Sequence, residues 1–163
     1  MVTRFLVPDD IARWAEFFTD KETTRFFPNL EGNTNEEKSE AWIEKQFTRY
    51  HENRLGLQAL IHKQDKYFIG QCGLLTQEVD GIMETEVGYH LLKKYWGNGY
   101  APEAARMFIN FAFENHLADS VISIIDIGNR NSQRVAEKNG LKIDKQTKWR
   151  GLNVYIYRIR KLI

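Results

Sequence analysis

The chain has 163 residues, 42% of them hydrophobic and 28% charged, with 23 Lys plus Arg against 22 Asp plus Glu. That length suits one domain spanning residues 1–163 with a core of its own, and the hydrophobic share excludes low-hydrophobicity disorder. A net charge of +1 and a lone cysteine, Cys72, leave no broad basic excess for nucleic acid or an anionic membrane, no internal disulfide and no thiolate zinc cage.

No apolar run approaches the 18 residues of a membrane span, and Met1–Val7 lacks the long apolar region of a secretory signal. A cytoplasmic location is the expectation. A short strand-like run, Phe5-Leu6-Val7, stops at Pro8. Asp9 is then placed to cap a helix whose apolar residues Ile11, Trp14, Ala15 and Phe18 fall on one face. After a loop carrying Phe26, Phe27 and Pro28, Thr34 with Glu37 forms a capping box. It opens a long helix bearing Ile43, Phe47 and Tyr50 and ending near Asn53.

Beyond Arg54 the period changes from 3.6 to 2. Leu55, Leu57, Ala59 and Ile61 alternate with more polar positions, as in a half-buried strand. Lys63–Lys66 is a turn, Tyr67–Leu75 the return strand, Asp80-Gly81 a break, and Glu84–Leu92 a further strand. A helix follows Gly99, with Ala101, Ala104, Ala105, Phe108 and Ala112 on one face. Val121–Ile127 is a continuous apolar strand of the kind covered on both faces. Another helix starts at Asn131 or Ser132 and stops at Asn139-Gly140. Gly151 lies in a turn before the last strand, Asn153–Ile159. The expected fold is α+β (mixed α/β), with one mostly antiparallel mixed sheet of about seven strands and about four flanking helices.

The stretch from Glu84 to Gly140 carries the chemistry. In Trp96-Gly97-Asn98-Gly99-Tyr100-Ala101, the two glycines admit positive φ. The helix that follows presents unpaired N–H groups and the positive end of its dipole. A diphosphate fits such a cradle, with charge added by Lys93 or Lys94. The loop is neither a Walker A sequence nor a dinucleotide fingerprint, since it lacks the Gly-Lys-Ser/Thr and the third glycine.

Two separated strings are similar to the GNAT superfamily of N-acetyltransferases: Glu86-Val-Gly-Tyr-His-Leu-Leu with Tyr95-Trp-Gly-Asn-Gly-Tyr-Ala-Pro-Glu-Ala, and Asn129-Arg-Asn-Ser-Gln-Arg-Val-Ala-Glu-Lys-Asn-Gly140-Leu. Within it the chain looks most like the RimJ/RimL-type branch. The resemblance implies acetyl-CoA as donor, a primary amine as acceptor (a protein N-terminus or a small amine), no metal, and a monomer or homodimer. The superfamily's phosphate loop reads Gln/Arg-x-x-Gly-x-Gly/Ala. Here Trp96 takes the first place, Gly99 the fourth and Ala101 the sixth, so the diphosphate depends on main-chain N–H groups of Gly97, Asn98, Gly99, Tyr100 and Ala101. The resemblance also implies that Leu91 and Leu92 pair through their backbone with the pantetheine arm and that Asn129 binds it through its side chain.

Amine attack on a thioester needs a base, an oxyanion donor and a donor for the thiolate. Glu86 is the expected base, on the strand where many family members place a catalytic carboxylate, with Glu84 and His90 on the same face. A backbone N–H freed by a bulge in Glu84–Leu92 would serve the oxyanion. The superfamily's Tyr acid is absent, since Ala136 holds that place, and Ser132 is the alternative, though it is also a natural helix cap. Cys72 has no neighbouring base and reads as core packing. Phe26, Phe27, Pro28 and Trp42 read first as core packing and second as an acceptor wall. Acceptor choice is assigned to the loops 29–33, 78–82 and 149–153. The alternative to an enzyme is a non-catalytic acyl-CoA sensor, which would keep the loop and need neither Glu86 nor Ser132.

Overall fold

The computed structural model describes residues 1–162. In chain order the elements are β1 (Val2–Arg4), α1 (Asp10–Trp14), α2 (Lys21–Thr24), α3 (Asn35–His51), β2 (Leu57–Ile61), β3 (Phe68–Val79), β4 (Ile82–Leu91), α4 (Tyr100–Glu114), β5 (Ser120–Asp126), α5 (Arg130–Lys138), β6 (Lys142–Trp149) and β7 (Leu152–Arg160). Seven strands form one sheet in the order β1-β2-β3-β4-β5-β7-β6. Every pair is antiparallel except β4 with β5. This is the mixed architecture expected from the element order.

The first helix departs from expectation. After five residues α1 tightens into a 3₁₀ turn at Ala15–Thr19, and Asp20 accepts the Glu22 N–H at 2.7 Å to start α2. Asp9 caps nothing with its side chain. Its neighbour Asp10, wholly buried, instead ties the preceding loop to the helix, accepting the Val7 N–H at 3.0 Å and pairing with Arg4 at 2.6 Å and Arg13 at 3.2 Å. At α3 the capping box forms as read, with Thr34 Oγ1 accepting from Glu37 N and the Glu37 carboxylate accepting from Thr34 N.

Two apolar layers sandwich the sheet. Ala104, Ala105, Phe108 and Ala112 of α4 pack on Leu60, Cys72, Leu74 and Val87. On the opposite face Trp14, Phe17, Phe18 and Ile43 cover Ala59, Ile61 and Phe68. Fully burying a Leu or Phe side chain is worth about 1.5–3 kcal/mol, so these layers set the spacing of everything above them. Because β2 lies between the two layers, Ala59 and Leu60 are both fully buried. The expected half-buried alternation is lost for that reason.

β3 and β4 make a long hairpin whose two-residue turn places Asp80 at φ 49° and Gly81 at φ 80°, as such turns demand. Its register runs unbroken from Gly70↔Leu91 to Val79↔Ile82. The bulge expected in β4 is therefore absent. The strand is opened instead on its other edge, where pairing with β5 is limited to Glu86 opposite Ile122.

Candidate active site

Past Glu86 and Ile122, side chains occupy the seam between β4 and β5. Ser123 Oγ donates to the Val87 carbonyl at 3.3 Å, and the Ile124 N–H donates to Glu86 Oε1 at 3.4 Å. The Leu92 N–H bonds Ile69 O at 3.0 Å, across the β3 side. Since main-chain groups alternate along a strand, Tyr89 and Leu91 turn theirs toward the opening. The result is a cavity of about 840 Å³ whose walls include Glu86, Tyr89, Leu91, Trp96, Gly97, Gly99, Tyr100, Ala101, Asn129 and Ser132.

At one end lies the Trp96–Ala101 loop. Gly97 and Gly99 have φ of 78° and 80°, and a Cβ at either would meet nothing within 4 Å. The left-handed turn at Gly99 leads into the first N–H groups of α4, and among the described residues no side chain caps them. Asn98 Nδ2 donates to the carbonyls of Tyr95 and Trp96, both at 3.1 Å, and the Trp96 indole N–H donates to Leu91 O at 3.0 Å. These side chains hold the loop against the strand end and leave its amides free. An anion the size of a diphosphate fits such a cradle.

Neither flanking lysine serves it. Lys93 is held by Asp20 at 2.8 Å and Glu22 at 2.7 Å, and Lys94 by Glu16 at 2.7 Å. Arg130, Arg134 and Lys138 of α5 line the same cavity.

Midway along, the buried carboxylate of Glu86 accepts Gln77 Nε2 at 2.9 Å. Burial pushes this carboxyl above the ordinary carboxylate range. The Gln77 and Ile124 hydrogen bonds and the charges of Arg150 and Arg49 pull it back down. Gln77 is oriented in turn by Arg150, whose Nη2 donates to Gln77 Oε1 at 3.4 Å. Across the cavity, the Asn129 side chain caps α5 by accepting the Ser132 N–H at 3.2 Å. Ser132 is thus not the cap. Its hydroxyl makes no hydrogen bond among the described residues, while its carbonyl takes the Tyr89 hydroxyl at 2.9 Å.

The far end is aromatic. Phe27 and Trp42 pack around His90 with ring centroids 5.3 and 5.0 Å away. Burial pushes His90 down to about 4, leaving the imidazole neutral at pH 7. Phe26, Phe27, Pro28 and Trp42 all line the cavity, and Phe27 and Trp42 also pack against the core.

The model of the acetyltransferase (GNAT) domain matches residues 1–142. The chain belongs to the GNAT acetyltransferases. Relatives of this GNAT chain include YkkB of Bacillus subtilis, an uncharacterized protein 30% identical over 144 residues, covering 86% of this chain and 81% of that one. Among solved structures, the ribosomal-protein-S5-alanine acetyltransferase of Vibrio fischeri superposes with a TM-score of 0.74 at 15% identity, covering 97% of this chain and 91% of that one. An aminoglycoside acetyltransferase, AAC(6')-Ib, solved with coenzyme A and kanamycin, gives 0.77 at 12% identity and covers 98% and 94%. At these identities the likeness is one of fold.

The expected site residues of this GNAT chain divide accordingly. Glu86, Leu91, Trp96, Gly97, Gly99, Tyr100, Ala101, Asn129 and Ser132 line one cavity, whereas Leu92 and Asn98 do not. Leu92 is buried with its N–H spent on β3. Glu84 is excluded as a substitute base, because Arg158 clamps its carboxylate at 2.6 and 3.0 Å away from the cavity. Cys72 is fully buried, and burial raises its thiol pKa, which suits packing rather than nucleophilic attack. Of the three loops assigned to acceptor choice, residues of 29–33 and 149–153 line the cavity and those of 78–82 do not. Gln77, Arg49 and Arg150 are additions. Only the Trp149-Arg150-Gly151 turn left any trace of them in the chain's pattern.

Proposed function

We propose that this GNAT chain moves an acetyl group from acetyl-CoA directly to a primary amine in a ternary complex. The observation that carries this is the opening of β4 from β5, which sets a buried carboxylate, a free serine hydroxyl and a cradle of amides around one cavity. When bound, acetyl-CoA supplies an acetyl thioester. The amides of Gly97, Gly99, Tyr100 and Ala101 fit its diphosphate, and the outward Tyr89 carbonyl and Leu91 N–H fit an amide-bearing pantetheine arm. Asn129 spends its Oδ1 on capping and retains its Nδ2 for the same arm.

Glu86 takes a proton from the ammonium group of the acceptor, freeing the nitrogen lone pair to attack the acetyl carbon. A carboxyl raised by burial is a stronger base than an exposed one. The Tyr89 N–H, fixed on the open edge, is the main-chain donor for the acetyl oxygen. As the C–S bond breaks, Ser132 Oγ donates its hydrogen bond to the departing sulfur. The thiol receives its proton from the second hydrogen that the nitrogen sheds, so the products are an N-acetyl amide and the free thiol. Neutral His90 shapes the acceptor wall and carries no proton in this scheme.

Initial rates with both substrates varied test direct transfer. Intersecting double-reciprocal lines and an unacetylated protein by intact mass are expected. Parallel lines with an acetylated protein would overturn the reading.

A further inference from the structure

The acceptor half of the cavity is unbalanced in charge. Its acidic side chains are already engaged: Glu22 is held by Lys93 and Glu31 by Lys45, each at 2.7 Å, Glu86 is buried with Gln77, and Asp126, which also lines the cavity, accepts the Gly128 N–H at 2.8 Å. Its cations are not. Arg25, Lys38, Arg49 and Arg150 line the same walls, and among the described residues none has a carboxylate within ion-pair distance.

Two of them come from separate elements and line the cavity together with Glu86. Arg49 projects from the last turns of α3 and is half-buried, so part of its hydration is lost without a counter-charge to replace it. Arg150 sits at the tip of the β6–β7 hairpin with φ 48°, in a turn position that Asn, Asp or Gly ordinarily fills. The tight turn fixes its backbone, and its guanidinium lies 4.3 Å over the Trp149 ring while reaching Gln77. The two guanidiniums feel each other, and both charges reach Glu86. Gathering like charges beside a buried base has a cost that an anionic ligand removes. The diphosphate of CoA has partners of its own in the Gly97–Ala101 amides, with Arg130, Arg134 and Lys138 of α5 lining the same cavity.

We propose that the acceptor is an anionic amine, with a carboxylate a few bonds from its nitrogen, and that Arg49 and Arg150 clamp this carboxylate so that the nitrogen faces Glu86. Planar guanidiniums are suited to such two-point recognition. The same field repels a polycationic acceptor such as an aminoglycoside or a polyamine. This proposal rests on the acetyl-transfer reading above and deepens it.

The test uses the full chain with saturating acetyl-CoA and three amine pools: the twenty amino acids, their amides, and neutral-capped peptides beginning with Asp or Glu. Products are read by mass spectrometry. Expected is at least about tenfold faster acetylation of a carboxylate-bearing pool than of the amides. The pool that responds shows whether the carboxylate belongs to a free amino acid or to a peptide N-terminus. Arg150→Gln, at an exposed turn, and Arg49→Gln should each raise the acceptor KM about tenfold and leave acetyl-CoA affinity unchanged. Arg49→Lys stands in if the glutamine variant fails to fold. Amides acetylated as fast as acids, or a preference that survives both substitutions, would overturn the proposal.

If no amine is acetylated, the transfer reading falls, and calorimetry with N-acetyl amino acids against N-acetyl amino acid amides reads the clamp alone. Tighter binding of the acids that is lost on Arg150→Gln upholds it. Equal binding, or none, overturns it.

Discussion

As the proposed base, Glu86 can act only while its carboxylate is ionised, and its neighbours pull that ionisation in opposite directions. Burial disfavours the charged form, and the Gln77 hydrogen bond favours it. The acid limb of kcat/KM should therefore lie above the ordinary carboxylate value of 4.5, with activity lost as pH falls through it. Gln77→Leu removes a donor to the carboxylate and should move that limb to higher pH. A limb unmoved or moved down would separate Glu86 from the rate. Ser132 makes a second residue-level case. Because Asn129 supplies the α5 cap, Ser132→Ala should leave stability within about 0.5 kcal/mol while lowering turnover more than acetyl-CoA affinity. A change in melting temperature with normal turnover would assign the hydroxyl to structure. Glu86 and Ser132 were legible because each stands inside a motif whose spacing survives translation into strand and helix. Gln77 was not, since nothing in a strand of mixed polar and apolar residues marks which amide will face a carboxylate across the hairpin.

At the scale of elements, the loop from Trp96 to Ala101 carries the strongest expectation. Its glycine pair was readable because the chain needs positive φ there to turn from β4 into α4. A side chain at Gly99 would point into open space, so the free protein loses only the cost of a left-handed residue, about 1–2 kcal/mol. Gly99→Val should therefore melt only slightly earlier yet bind acetyl-CoA at least about tenfold more weakly, since the added methyls occupy the cradle. Unchanged affinity by calorimetry would place the diphosphate elsewhere. The ion pairs of Lys93 and Lys94 are hidden from the sequence for a reason general to surface charge. Their proximity along the chain to the loop says nothing of the acidic residues that α1 and α2 bring against them. The short α2 and the 3₁₀ end of α1 were likewise hidden, because the apolar residues of that segment satisfy one helix period as well as two broken pieces.

Across the whole molecule, the sheet divides into a β1–β4 half and a β5–β7 half that touch at Glu86 and Ile122 and then part. That parting follows from where side chains insert between the strands, and strand periodicity alone does not reveal it. The same holds for the meeting of Arg49 and Arg150, which come from segments 101 positions apart and are neighbours only once α3 and the β6–β7 hairpin are laid over the sheet. Element order and the donor-side motifs could be read from local pattern, whereas the acceptor side is a product of tertiary assembly. Among the described residues no helix is long and apolar enough to cross a membrane.

The central claim is that the cavity between β4 and β5 performs acetyl transfer with Glu86 as its base. Release of free CoA from saturating acetyl-CoA and an amino-acid pool, measured for the wild type and for Glu86→Gln, tests it most directly. A fall of at least about a hundredfold in rate with acetyl-CoA affinity preserved is the predicted result. Equal rates in the two proteins would contradict it.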